Sequence, residues 1–255
     1  MVLLEKDVWR HLDNLTKPPR SLGKLEELAA RLCCIQGSTV PKSTPRKAVL
    51  FAGDHGVVKA GVSAWPSEVT ALMIQNILAG TAASTVLARA TDTPLTLVNV
   101  GSLDLPNQEG ERTNYRDCRV CAGTADLAEH PAMTVDQFHQ ALEIGKQQAT
   151  QAAEEENCLV IAGEMGIGNT TPSACLAMLL ASVPLQEAVG RGAGADDPTW
   201  DRKRQVVAGA VDRARRKWDG DPIEAIAEVA GLEIVAMAGF FVQAKASGLT
   251  ILLDG

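Results

Sequence analysis

Aromatic side chains are scarce in this chain of 255 residues, which holds four Trp, four Phe and one Tyr, and its 24 lysines and arginines are outnumbered by 31 aspartates and glutamates. The net charge of −7 argues against a nucleic-acid or anionic-membrane surface spread over the whole protein and leaves room only for a local basic patch. No apolar run approaches the roughly 18 residues of a membrane span. The N-terminal MVLLEKDVW lacks the basic head, apolar core and cleavage site of a secretory leader. A cytoplasmic protein with neither membrane nor nucleic-acid partners is expected. Cys33, Cys34, Cys118, Cys121, Cys158 and Cys175 lie in contexts of different character, which suits reduced thiols better than a disulfide framework. Cys118 and Cys121 form a single C-x-x-C, but a tetrahedral zinc site needs a second pair, and His130, the nearest histidine, has no partner at ligand spacing; no metal is expected. What remains is ordinary globular composition, 46% hydrophobic and 22% charged. The length favours one large domain, or a large one with a small satellite.

Strands and helices alternate. AVLFAG (48–53), LTLVNVG (95–101), CLVIAG (158–163) and LTILLDG (249–255) are short, nearly continuous apolar runs, as expected of parallel strands buried on both faces. Helical patterns lie between them at 67–90, broken or bent near Gly80; at 134–156, opened by a Thr134 to Gln137 capping box; and at 169–182 and 201–217. A further helical pair has Asp221 and Pro222 at good N-cap and N1 positions, with Gly231 between its halves, and the apolar second half (231–248) suits either core or a dimer interface. Near the N-terminus, Leu22, Leu25, Leu28 and Leu32 recur at three- and four-residue intervals and predict an amphipathic helix. The pattern implies β-α-β units, hence an α/β fold with a doubly wound parallel sheet whose ligand lies at the C-terminal ends of the strands.

Three loops follow those ends. GEMGIGNTTPSA (163–174) sets glycines and two threonines between a strand and a helix. The backbone can approach a ligand closely there, and the helix N-terminus favours an anion such as phosphate. Its spacing matches neither G-x-G-x-x-G nor the P-loop, so no dinucleotide or NTP reading is supported. Glu164, just past a buried strand, is costly there without a partner. VGRGAGADDP (189–198) precedes a helix whose first turn, read as starting at Asp201, holds Arg202, Lys203 and Arg204 against the macrodipole. A nearby anion would resolve the conflict, whereas a solvated basic face suits Arg202 and Arg204. GDHGVVKAGVSAWP (53–66) carries Asp54 and His55, either an acid–base pair of an unrelated sugar-phosphate enzyme or a hydrogen-bonded structural pair.

LTKPPRSLGKLEELA (15–29), FAGDHGVVKAGVSAWPSEVTALMIQNILAGTAA (51–83), GEMGIGNTTPSA and GRGAG, in this order, resemble the nicotinate-nucleotide:dimethylbenzimidazole phosphoribosyltransferase family from about residue 10 to the end. The resemblance implies a Rossmann-like α/β domain over 41–255, a small helical domain to which residues 1–40 contribute, and a homodimer without a cofactor. The implied reaction passes ribose 5-phosphate from nicotinate mononucleotide to 5,6-dimethylbenzimidazole, giving α-ribazole 5′-phosphate and nicotinate for the lower ligand of cobalamin. Carried over by position, Glu164 matches a glutamate at the phosphoribosyl site. Gly166, Gly168, Asn169, Thr170 and Thr171 match the loop around the nucleotide, with Gly190 and Gly192 in the second loop, and Lys203 matches a lysine near the phosphate. Trp65, Pro66 and Met73 fall where the family lines its benzimidazole pocket, although a packing role would serve Trp65 equally.

The resemblance also implies a C-terminal segment with a glutamate general base and an E-G-x-G-like motif, which does not occur here. The expectation is a truncated chain, a split enzyme, or a nucleotide-binding relative without turnover. Within the chain Glu164 is the first candidate carboxylate and Asp254 the second.

Overall fold

A computed structural model describes residues 4–104 and 114–253. The chain opens with helices α1 (Glu5–Asp13) and α2 (Lys24–Gln36), then strand β1 (Arg46–Gly53), a 3-10 turn (Gly56–Ala60), α3 (Glu68–Leu78), α4 (Ala83–Ala90), β2 (Leu95–Gly101) and β3 (Tyr115–Asp117). There follow α5 (Val135–Glu154), β4 (Leu159–Met165), α6 (Thr170–Leu180), α7 (Leu185–Ala188), α8 (Asp197–Trp218), α9 (Pro222–Ala227), α10 (Leu232–Ala246) and β5 (Thr250–Leu252). The five strands form one parallel sheet in the order β3-β2-β1-β4-β5. The winding direction reverses beside β1, so the loops leaving β1 and β4 flank the crevice where such sheets bind ligands.

The four apolar runs each hold a strand and the doubly wound α/β expectation holds, but the last is only the three-residue edge strand β5, with Leu252 and Leu253 exposed rather than buried on both faces. Against one face of the sheet, α5 and α10 bury Phe138, Leu232, Val235 and Phe240 over Val49, Phe51, Val98 and Val160. Against the other, α3 packs Ile74 and Ile77 over Ala52, Leu97 and Tyr115. A third apolar group joins α6 to α8 through Cys175, Met178, Val207 and Val211 and reaches Val57 in the loop after β1. That group fixes α6 and α8 relative to the strand ends. Beside α4, Leu50, Leu87, Ala88, Ile161 and Gly163 line an apolar cavity of about 430 Å³.

Local rules set several boundaries. Thr134 and Gln137 close the expected capping box at the start of α5. The Asp221 carboxylate accepts the N–H groups of Ile223 and Glu224 ahead of Pro222. Gly80, at φ +77°, separates α3 from α4.

Other boundaries depart from the sequence pattern. Asp196, not Asp201, caps α8, accepting from Thr199 N–H with Pro198 in the first turn. Arg202, Lys203 and Arg204 therefore lie beyond the first turn, and the conflict with the macrodipole is relieved by position rather than by a ligand. Strand β4 runs to Met165, so Glu164 belongs to the strand itself. β3 was not anticipated, because three residues containing Arg116 and Asp117 show no apolar period.

The leucine stripe of α2 faces outward: Leu22, Leu25 and Leu28 are 55%, 65% and 59% exposed, while Glu26, Ala30 and Cys33 are buried. Glu26 is drawn inward by Lys17 at 2.9 Å and by the Leu22 N–H at 2.9 Å, which rotates the helix so that Ala30 and Cys33 meet Val8 and Leu12 of α1. Residues Glu68–Ala90 are also long and apolar enough to cross a membrane, with mean hydropathy 1.4 and only 11% of the span buried. A search for unbroken apolar runs misses them because Thr70, Gln75 and Asn76 interrupt the pattern.

Candidate active site

Glu164 stands at the C-terminal end of β4, opposite Phe51 of β1 and half-buried. Asn169, at the N-cap of α6, donates its side-chain N–H to Glu164 Oε2. Burial raises the Glu164 carboxyl above the usual carboxylate range. The Asn169 hydrogen bond opposes that rise, the charge of Glu233 adds to it, and His55 opposes it again. The loop between is held tightly: a Cβ on Gly166 would lie 2.1 Å from the Gly53 carbonyl oxygen, so only glycine lets the two strand-end loops touch.

One helical step on, Thr170 Oγ1 accepts from Lys203 Nζ at 2.7 Å, and the same ammonium donates to the Gly190 carbonyl at 3.3 Å. Lys203 is 1% exposed, burial pushes its pKa down, and among the described residues it forms no ion pair with a carboxylate. A buried ammonium with only neutral partners is costly. Gly192 approaches the same group, since a Cβ there would be 3.1 Å from Thr170 Oγ1 and 3.7 Å from Lys203 Nζ. Thr171 is buried, and its hydroxyl has no partner among the described residues. The structure thus brings Glu164, Gly166, Gly168, Asn169, Thr170, Thr171, Gly190, Gly192 and Lys203 to one edge of the sheet. Arg204, by contrast, is half-buried, pairing with Asp201 at 2.6 Å and stacking over Trp200 rather than lying on a fully solvated face.

The acceptor-side candidates are more loosely placed. Trp65 is 51% exposed and donates its indole N–H to the Ala193 carbonyl at 3.1 Å, which sets it against the second glycine loop and rules out a buried packing role. Pro66 is exposed ahead of α3, and Met73 is half-buried on that helix. Thr70, three residues before Met73, ties α3 to the first loop by accepting the Ile167 N–H at 3.1 Å. Asp254 lies outside the described residues.

Asp54 and His55 do not pair with each other. Asp54 accepts the Leu103 N–H at 2.8 Å, and His55 Nε2 lies 2.8 Å from Glu233 Oε1, both side chains wholly buried. The acid–base pair and the structural pair read from this loop are both absent, each side chain being committed to a different partner. Glu233 and Thr70 were missed from sequence. A lone carboxylate in GLEIVAMAGFF was the available signal for Glu233; nothing marked Thr70.

A cleft of about 570 Å³ lies elsewhere, lined by Gly123, Thr124, Met133, Thr134, Lys217 and Glu228 among others. Its charges are already satisfied, Lys217 lying 2.6 Å from Glu224 and 2.5 Å from Glu228. None of the candidate residues lines it. Among the described residues no group of three His, Cys, Asp or Glu side chains could hold a metal ion.

A family model described as phosphoribosyltransferase matches residues 3–255. The chain belongs to the phosphoribosyltransferase family. A nicotinate-nucleotide:dimethylbenzimidazole phosphoribosyltransferase from Thermus thermophilus is 44% identical over 245 residues, covering 96% of this chain and 71% of the relative. One of the same name from Cupriavidus taiwanensis is 44% identical over 96% of this chain and 69% of its own length. One from Chlorobaculum parvum is 39% identical over 99% and 70%. The crystal structure of CobT from Thermus thermophilus superposes with a TM-score of 0.89 at 41% identity, covering 98% of this chain and 74% of that one. In this phosphoribosyltransferase fold, Glu164 and Lys203 occupy the strand-end crevice the topology leads one to expect.

Proposed function

We propose that the chain transfers ribose 5-phosphate from nicotinate mononucleotide to 5,6-dimethylbenzimidazole, yielding α-ribazole 5′-phosphate and nicotinate for the lower ligand of cobalamin. The observation that carries the site assignment is Lys203, a buried ammonium without a carboxylate partner among the described residues, beside the start of α6. A phosphate there meets the Lys203 charge, the hydroxyls of Thr170 and Thr171 and the positive end of the α6 dipole. The ribose then lies towards Glu164. The C1′–N bond to the pyridinium breaks with its electron pair returning to nicotinate, an azole nitrogen bonds to C1′, and the azole proton goes to a base. Glu164 stabilises positive charge developing at C1′ or takes that proton. The half-exposed Trp65, with Pro66 and Met73, offers a flat apolar wall to the benzimidazole.

Two further readings belong to this proposal. The outward leucines of α2 and the exposed apolar length of α3 and α4 suit a homodimer, since exposed apolar patches of this kind mark association surfaces. Free cysteines and the absence of a disulfide among the described residues suit a cytoplasmic setting.

The test is incubation with both substrates, following nicotinate by chromatography and the ribazole phosphate by mass. Nicotinate release that requires dimethylbenzimidazole supports the transferase; saturable nucleotide binding without release would instead make the chain a binding subunit. Lys203→Ala is expected to weaken nicotinate mononucleotide binding by about tenfold or more in calorimetry, since it removes a charge-assisted contact worth about 1.5–3 kcal/mol. Unchanged affinity would remove Lys203 from the site.

A further inference from the structure

His55 and Glu233 come from sequence positions 178 residues apart, one just past β1 and the other in the first turn of α10, and meet with no exposure at 2.8 Å. A buried ion pair is weak as a stabilising device, because both partners lose their hydration. Its surroundings show what it touches. A Cβ on Gly231 would lie 2.5 Å from His55 Cε1 and 2.7 Å from Glu233 Oε1, and one on Gly53 would lie 3.1 Å from Glu233 Oε2. From the other side, a Cβ on Gly166 would be 3.1 Å from His55 Nε2, and one on Gly168 would be 3.4 Å from His55 Cβ. Gly166 and Gly168 belong to the loop that carries Glu164 into α6, so the imidazole is the floor on which that loop rests. His55 Nδ1 and Glu233 Oε2 have no hydrogen-bond partner among the described residues.

We propose that the His55–Glu233 pair is a positioning unit for the transfer reaction, propping the Gly166–Gly168 backbone so that Glu164, Asn169 and Thr170 stand together. This inference rests on the transferase reading of the same site. The groups that face His55 are Glu233 from α10, Asp54 from its own loop and Glu164 from β4. Burial pushes the imidazole pKa down, but the charge and hydrogen bond of Glu233, with Asp54 and Glu164, outweigh it and leave the value raised. Glu164 feels the two members in opposite senses: Glu233 raises its pKa and His55 lowers it. Removing His55 alone takes away one influence that lowers the Glu164 pKa and leaves that of Glu233, which raises it.

Three variants, His55→Gln, Glu233→Gln and the double His55→Gln/Glu233→Gln, separate this role from packing. With nicotinate mononucleotide and dimethylbenzimidazole as substrates, His55→Gln is expected to lower kcat by about 10–100-fold, on the scale of a small misplacement at the reacting centre, with KM changed far less. It also moves the acidic limb of the kcat profile to higher pH, and the double variant, which removes both opposing influences on Glu164, brings that limb back towards the wild-type position. A limb that stays put in His55→Gln, or does not return in the double variant, overturns the proposal. If His55→Gln does not fold, the wild-type chain with ¹⁵N-labelled histidine gives the answer. Saturation with nicotinate mononucleotide is expected to shift the His55 imidazole resonances, and binding without such a shift overturns the proposal. The same titration separates the two claims. A wild-type chain that binds the nucleotide and shifts His55 but releases no nicotinate contradicts the transferase and keeps the positioning unit. A chain that binds no nucleotide contradicts both.

Discussion

Glu164→Gln lowers turnover by about 10²–10³-fold, within the usual range for losing a positioned acid or base, and changes nicotinate mononucleotide affinity little. The substitution keeps the shape of the side chain and its contact with Asn169 while removing the charge that faces C1′. The loss therefore falls on the transition state, in kcat, rather than on binding. The pH dependence of the wild type follows from the same carboxyl. Its pKa lies above the ordinary value, because burial and Glu233 raise it more than Asn169 and His55 lower it. Activity that needs the carboxylate is then complete above that raised pKa and falls as the pH drops through it, earlier on acidification than for an ordinary glutamate. Steady-state kinetics across pH checks both points, and the limb should vanish in Glu164→Gln.

Gly145→Ala is the substitution expected to cost the fold most. α5 and α10 cross so closely that a Cβ on Gly145 would lie 1.7 Å from the Ala236 carbonyl oxygen, and one on Gly239 would lie 2.1 Å from the Leu142 carbonyl oxygen. Backbone opposes the added methyl on both sides, so the helices must separate. The helix propensity of alanine returns only about 1 kcal/mol, against an overpacking cost of roughly 3 kcal/mol or more for a contact that cannot relax. For a chain of this size the net loss lowers Tm by about 4–8 °C. The shift reaches the site as well, because α10 begins at Leu232 and Glu233, so nucleotide affinity falls with stability. Gly209→Ala in α8 provides the contrast: nothing lies within 4 Å of its Cβ position, and it should stabilise the chain by up to about 1 kcal/mol. Calorimetric melting of the two variants beside the wild type reads the difference directly. A Gly145→Ala chain melting with the wild type would show that α5 and α10 are not so closely packed.

Much of this is legible without coordinates where the signal is local. Continuous apolar runs mark β1, β2 and β4 because parallel strands covered on both faces tolerate no polar alternation, whereas β5 lies at the sheet edge with Leu252 and Leu253 exposed. Thr134 with Gln137 and Asp221 with Pro222 mark helix starts because caps are satisfied within four residues. The glycine loop at 163–174 is visible because a strand passing abruptly into a helix needs small residues. What the sequence hides is set by distant partners. The stripe of Leu22, Leu25 and Leu28 is periodic but says nothing of which side meets α1, and Lys17 decides that through Glu26. The start of α8 is misread because Asp196 and Asp201 are equally plausible caps in isolation. His55 finds its carboxylate in α10 rather than in its neighbour Asp54, and no spacing rule connects residues so far apart.

The central claim is that ribosyl transfer takes place where β4 meets α6, with Lys203 holding the phosphate and Glu164 facing C1′. A crystal structure of the chain with nicotinate mononucleotide tests it most directly. The expected density places the phosphate against Lys203 Nζ and the hydroxyls of Thr170 and Thr171, with C1′ beside the Glu164 carboxylate. A nucleotide bound instead in the cleft between Thr124, Met133 and Lys217, with Lys203 untouched, would contradict it.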